Sequence, residues 1–563
     1  MINHDTAADQ RVRPLDIRAV ASKIGLREDD LELYGRYKAK ISHDVFNRLA
    51  DHPQAHYVVV TSINPTPLGE GKTVTAIGLG AALNRAGHSA ITCLRQASLG
   101  PALGTKGGAA GGGRAQLIPR DELTMHFTGD IHAVAAANNQ CVAMVDNHVY
   151  HGNELAIDDV QVRRVMDTDD RALRTIVQGL GGRSNGPLRE TGFDIAAASE
   201  VMALLALSRD PHDLRERLGR MVVAFDRAGR AVTAEDVSAA GCMAALLSTA
   251  LKPNIVQNTE HDPVFVHAGP FGNIAHGCSS IIADRIATRL AEYVVTEAGF
   301  GADLGAEKIF NIKCRAGDLK PSAAVVVASV RALKMHGGLG SPVPGGPAND
   351  AVLTEDLPAV RRGCENLAKH IEIVRLHGVV PVVAVNRFPG DTDRELALVQ
   401  RAAVDAGAAA AEVSDVYTQG GIGGRALADA VVRACREPSR FHVLYPDDAP
   451  LDEKIRAICT QVYGADGVDF SPRARKKIRW FTDLGYGGLL VCMAKTHLSL
   501  SADPKAPGRP RGFRVPVRDL RVWAGAGFVY ALCGDVHTMP GLPHTPLAAT
   551  VDIDERGRIT GLR

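Results

Sequence analysis

HYVVVTSINPTPLGEGKTVTAIGLGAALNRA, residues 56–86, is the stretch whose reading decides the fold. Tyr57 to Val60 are four apolar or aromatic residues in a row and predict a short buried strand. A Pro- and Gly-rich turn follows, then Lys72-Thr73, then an Ala- and Leu-rich segment that predicts a helix. Strand, glycine loop and helix in that order is the context in which backbone N–H groups and a helix N-terminus hold phosphate oxygens. A lysine there adds a point charge, and a threonine adds a hydroxyl suited to Mg²⁺. Gly71-Lys72-Thr73 fits the P-loop pattern, but Thr66 stands where that pattern carries its first glycine. An ordinary strand-to-helix turn explains Gly69 and Gly71 and leaves the Lys-Thr pair unexplained. Thr66, Pro67, Leu68, Gly69, Glu70, Gly71, Lys72 and Thr73 are therefore candidates for holding nucleotide phosphates, with Thr73 also a metal candidate.

Working outward, His88 to Leu94 predicts a second strand, giving a β-α-β unit with a parallel sheet. The expected fold class is α/β, a P-loop-type, mostly parallel sheet flanked by helices, with additional α/β domains. The second strand ends at Arg95, where a planar, permanently charged fork would face the ligand crevice of such a sheet. Residues 104–114, GTKGGAAGGGR, are the most glycine-dense stretch and suit a loop closing over a ligand, with Lys106 its phosphate or carboxylate contact. His126, Asp130 and His132 are expected to line a pocket. Cys141 to Val145 predicts an apolar strand ending in Asp146, an acid placed to orient Mg²⁺ or simply to start a turn.

Further on, helices are expected over 172–179, 199–208, 214–225, 242–251 and 281–295, and a strand over 264–267. Asn273 and His276 follow that strand as possible site residues. Continuous β-branched runs at 323–328 and 379–385 predict more buried parallel strands. Helices are expected at 452–463 and 472–484, and strands at 489–494 and 522–532. The expected organisation is a helical lead-in at 1–55, a nucleotide-binding domain with a helical insertion at 56–350, a second α/β domain at 351–440 and a C-terminal α/β domain at 441–563.

Of 563 residues 45% are hydrophobic and 23% charged, within the range of globular proteins, and the net charge is +1. That balance argues against bulk electrostatic capture of nucleic acid or an anionic membrane. Ten cysteines are scattered singly with no zinc-like spacing, and no apolar run approaches the roughly 20 residues of a membrane span. The N-terminal MINHDTAADQRVRP lacks a signal-peptide apolar core. The expectation is a cytoplasmic protein.

Several stretches together resemble formate–tetrahydrofolate ligase: TSINPTPLGEGKT (61–73), SLGPALGTKGGAAGGG (98–113), HFTGDIHAVAAANN (126–139), EYVVTEAGFGADLGAEK (292–308), RALKMHGG (331–338) and LGYGGLLVCMAKT (484–496). The likeness runs from about residue 20 to the end. It implies that formate attacks the γ-phosphate of MgATP to give formyl phosphate, whose carbon is then attacked by N10 of tetrahydrofolate. It implies roles for Lys72 on the transferring group, Arg95 on formate, and Lys106 with Gly107, Gly108 and the glycines to 113 closing over them. It also implies a homotetramer and a folate cleft between domains. The chain departs from the family pattern at Gln96, where a glutamate associated with monovalent-cation activation is usual, so that requirement is in doubt. It departs again at 417–424, YTQGGIGG, where the family has Trp-Ala-Lys-Gly-Gly-Glu-Gly-Gly. Tyr417 would be one wall of the folate stack, with Ile309 opposite and Phe310 next to it. A same-scaffold ligase with another acceptor and a silent nucleotide- or folate-binding paralogue are the competing readings.

Overall fold

The computed structural model describes residues 12–106, 110–340 and 350–562, with side chains of 105 and 106 left aside. Its centre is a twelve-stranded sheet. Seven of those strands run parallel: β1 (His56–Ser62), β2 (Ala90–Leu94), β3 (Pro263–Val266), β4 (Tyr293–Glu297), β5 (Pro321–Ser329), β6 (Val380–Asn386) and β7 (Ala410–Ser414), in spatial order β3-β2-β4-β1-β5-β6-β7. Beyond β3 the sheet continues antiparallel through Asn254–Asn258 to Ala39–Ile41 and Leu31–Leu33.

Period-two alternation along β1 feeds two cores. Tyr57 and Val59 pack with α3 (Ile281–Leu290) and α4 (Leu357–Leu376) on one face. Val58 and Val60 pack with α1 (Lys72–Arg85) and α5 (Arg425–Cys435) on the other. A strand buried on both faces must be apolar at every position, which is why 57–60 reads as an unbroken run. Each such Val or Ile contributes about 1.5–3 kcal/mol by leaving water.

The structure corrects several expectations. β1 and β2 are not neighbours, because β4 lies between them. Residues 351–440 add β6 and β7 to this same sheet, and the lead-in adds its edge strands, so the sheet crosses the boundaries expected at 55 and 350. Cys141 to Val145 is no strand; it lies within α2 (Asp130–Tyr150), whose inward face is Ile131, Val134, Asn138, Cys141, Val142 and Val145. Two asparagines obscure the helical period. Asn138 donates to the Arg163 carbonyl at 2.8 Å, and Asn139 exchanges bonds with Val165 at 2.8 and 3.0 Å, docking the neighbouring strand. The helix expected at 172–179 is a short 3₁₀ turn followed by the strand Ile176–Gln178. The one at 214–225 ends at Arg220, and the one at 281–295 ends at Leu290, each giving way to a strand. The strand expected at 522–532 is a hairpin of Asp519–Trp523 and Phe528–Leu532. All ten cysteines are unpaired and nine are buried.

Candidate active site

The carboxyl edge of the parallel strands gathers the candidate residues. β1 runs into the loop 63–71, and α1 starts at Lys72 behind Gly71, whose φ of +79° only glycine adopts readily. A Cβ there would also stand 2.5 Å from Asn386 Nδ2. Asn386 ends β6 and reaches back under the loop, donating to the carbonyls of Glu70 (2.6 Å) and Gly71 (3.3 Å) while its Oδ1 accepts from the Thr75 hydroxyl at 3.0 Å. Arg331, in the short helix Val330–Lys334, donates to the carbonyls of Leu68 (2.7 Å) and Gly69 (3.2 Å) and lies 3.5 Å over the Phe388 ring. Inside the loop, Glu70 accepts the Thr66 N–H at 2.6 Å and its hydroxyl at 3.0 Å. Burial pushes the Glu70 carboxyl above the usual range, opposed by the charge of Lys72. The loop is thus held from both sides, with the free N–H groups of a helix start at its end.

Lys72 is half-buried and its Nζ donates to Ser62 Oγ at 3.2 Å. The Thr73 hydroxyl lies 3.0 Å from both carboxylate oxygens of Glu297, the last residue of β4. Glu297 therefore stands where an acid was sought in Asp146. Asp146 itself sits in mid-helix, its carboxylate taken by Arg189 (2.7 Å), Arg164 (2.9 Å) and Gln178. Two guanidinium groups already neutralise this carboxylate and tie it into the surrounding strands. The sequence signal for Glu297 was present: YVVTE is an apolar run closed by an acid.

Arg95 follows β2, two strand positions from β1 or about 10 Å across the sheet. Its Nη1 donates to the Pro270 carbonyl at 3.2 Å and lies near Gly299 beyond β4. In the loop after β3, His276 is fully buried, and neither ring nitrogen has a hydrogen-bond partner among the described residues. Burial holds its imidazole neutral, helped by Lys313, Lys308, Arg217 and Arg95.

Other expected residues fall elsewhere. Ile309 and Phe310, expected on the folate wall, are fully buried, with Phe310 packed on His377 and Phe441. Their segment is a π-helical turn whose side chains fill the core. His126 and His132 are exposed, while Asp130 is buried against Lys40 and Asn254, each at 2.7 Å. Tyr417 is 41% exposed, and its carbonyl accepts from Arg114 N at 2.8 Å. A Cβ on Gly113 would lie 2.2 Å from that oxygen, so part of the glycine run serves this close approach. Lys106 is described by its backbone alone, and Gly107 and Gly108 lie outside the described residues.

A second network ties the C-terminal third to this edge. Lys495 and Asp303 form a fully buried pair at 2.7 Å. Asn64, at the start of the glycine loop, donates to Asp303 at 3.1 Å, and its carbonyl lies 2.9 Å from His336 Nε2. His336 Nδ1 in turn accepts from Gly508 N at 3.2 Å.

Fold and edge together define a parallel α/β protein built around a clamped glycine loop that presents a lysine, a threonine and a facing carboxylate. The family model for formate–tetrahydrofolate ligase matches residues 3–563. Proteins named formate–tetrahydrofolate ligase from Desulforamulus reducens and Saccharopolyspora erythraea are each 54% identical, over 550 and 560 residues, covering 97% and 99% of both chains. One from Roseiflexus castenholzii is 52% identical over 560 residues, with 99% of both chains covered. This chain belongs to the formate–tetrahydrofolate ligase family, a family of ligase enzymes. No described helix is long and apolar enough to cross a membrane.

Proposed function

We propose that this protein uses ATP to ligate formate to N10 of tetrahydrofolate through formyl phosphate, giving 10-formyltetrahydrofolate, ADP and phosphate. The observation that carries the reading is the clamped loop with Lys72 and the Thr73–Glu297 pair at the start of α1. Formate oxygen bonds to the γ-phosphorus as ADP leaves, and N10 then bonds to the formyl carbon as phosphate leaves and the N10 proton is lost. Formate alone offers no adequate leaving group, so the protein's contribution is positioning and charge neutralisation.

In this reading the N–H groups of the loop and of the first turn of α1 hold phosphate oxygens, and Lys72 neutralises the group in transfer. Arg95 neutralises formate and the acyl phosphate. The oxygen donors of Thr73 and Glu297 suit Mg²⁺, which takes few protein ligands besides phosphates and would there supply charge neutralisation.

A second reading, a ligase with another acceptor, draws on the exposed Tyr417 and Ile422 in place of the family's Trp and Glu. ADP release measured with formate alone and with formate plus tetrahydrofolate separates the two. Release stimulated by both substrates supports the first reading. Release driven by formate but indifferent to tetrahydrofolate supports the second, and no formate-dependent release contradicts both.

A further inference from the structure

Away from the glycine loop, a cavity of about 340 Å³ lies where residues 163–193, the loop after β3 and the C-terminal hairpin meet. Three guanidinium groups line it, those of Arg163, Arg174 and Arg521, and no carboxylate does among the described residues. Outside the lining, the charge of Asp194 acts on both Arg163 and Arg521, and that of Asp519 on Arg521. Asp194 Oδ1 accepts from the Thr538 hydroxyl at 2.6 Å and lies 3.6 Å from Arg163 Nη1, beyond a good hydrogen bond. Arg174 gives its Nε to the Met539 carbonyl at 2.9 Å, and its terminal nitrogens have no hydrogen-bond partner among the described residues. Arg521 sits directly across the hairpin from the buried Tyr530.

Each guanidinium carries five donors in a planar fork matched to carboxylate or phosphate. Three of them around one half-enclosed space, with Asp194 outside the lining and Asp519 shared with Arg473 and Lys477, leave an excess of positive charge that is unfavourable without a counter-anion. The remaining wall is apolar, with Phe193, Ile274 and Leu532. The volume lies at the small end of ligand sites.

We infer that this arginine-lined cavity is a binding site for a small organic oxyanion, a phosphate or carboxylate group borne on a short apolar body. The site includes no residue of the glycine loop and does not depend on the proposed reaction. It does share the loop after β3 with Arg95, which holds Pro270 four residues before Ile274.

The test is calorimetric titration of the full chain carrying Lys72→Ala, which weakens competition at the glycine loop, with inorganic phosphate and separately with glutarate. One saturable site per chain is expected for at least one probe, weakened at least tenfold by adding Arg521→Met and largely restored by Arg521→Lys. Tighter phosphate assigns a phosphoryl ligand, and tighter glutarate assigns a carboxylate one. If Arg521→Met does not fold, Arg174→Met carries the same expectation, since Arg174 is only partly buried. Absence of saturable binding by either probe, or binding unchanged by the arginine substitution, overturns the proposal.

Discussion

Lys72 is the residue on which the proposed chemistry turns, because its charge meets phosphoryl oxygens only if the Ser62 tether holds it at the loop. Lys72→Met is expected to lower kcat by about 10²–10³-fold, as loss of one preorganised charge-stabilising donor does. Stopped-flow measurement of ADP formation checks this. Glu297 carries a separate expectation. Glu297→Gln keeps its shape and its contact with Thr73 but removes the negative charge, so the Mg²⁺ concentration needed for half-maximal nucleotide binding should rise about 10-fold or more. Nucleotide titrations at graded Mg²⁺ read that directly, without turnover. At this scale the sequence supplied a rule that two residues satisfy. An acid closing an apolar run describes both CVAMVD and YVVTE, and only the tertiary setting shows that the first is helix and the second strand.

The glycine loop is an element held by others rather than by its own sequence. Asn386 and Arg331 arrive from more than 250 residues away and together fix four of its carbonyls. Arg331→Met should weaken nucleotide binding about 10-fold while circular dichroism stays unchanged, since two carbonyl contacts and a cation–π contact are lost near the surface of the loop. Gly71→Ala should be harsher, combining a left-handed φ with a Cβ 2.5 Å from Asn386. Strand, loop and helix at 56–86 were legible because each obeys local rules of burial and backbone freedom. The clamps were not. Asn386 reads as a strand-ending turn and Arg331 as a helical surface charge until the sheet sets β5 beside β1 and β6 beside β5. The same limit explains Phe310, an aromatic with no local sign of whether it faces ligand or core.

Across the whole molecule, buried charges fasten the C-terminal third to the central sheet. Asp303 and Lys495 are both fully buried, and the lysine, despite the burial that opposes it, holds the Asp303 carboxyl far below its ordinary range. Asp303→Asn would leave Lys495 uncompensated and should cost about 3–5 kcal/mol, read as a large fall in Tm. Glu200 is a different fastening. It accepts N–H groups of Gly525 (2.8 Å) and Ala526 (3.2 Å), and burial pushes its carboxyl up to about 8 against those bonds. The folded chain therefore keeps a proton that the unfolded chain releases near 4.5, and stability falls as pH rises from about 4.5 to about 8. Glu200→Gln can still accept both N–H groups and has no proton to lose. Its Tm should match that of the unsubstituted chain near pH 4.5 and exceed it near pH 8, with about 1.4 kcal/mol for each unit of the shift.

The central claim is that the phosphate held at the glycine loop passes to formate before carbon passes to folate. Isotope transfer tests it most directly. With ¹⁸O-labelled formate, ATP and tetrahydrofolate, the oxygen of formate that bonds to phosphorus must leave with the phosphate, so each phosphate released should carry one ¹⁸O by mass spectrometry. Lys72→Met should slow the appearance of labelled phosphate in step with turnover, leaving one ¹⁸O in each phosphate still released. Formation of 10-formyltetrahydrofolate with unlabelled phosphate would contradict the account.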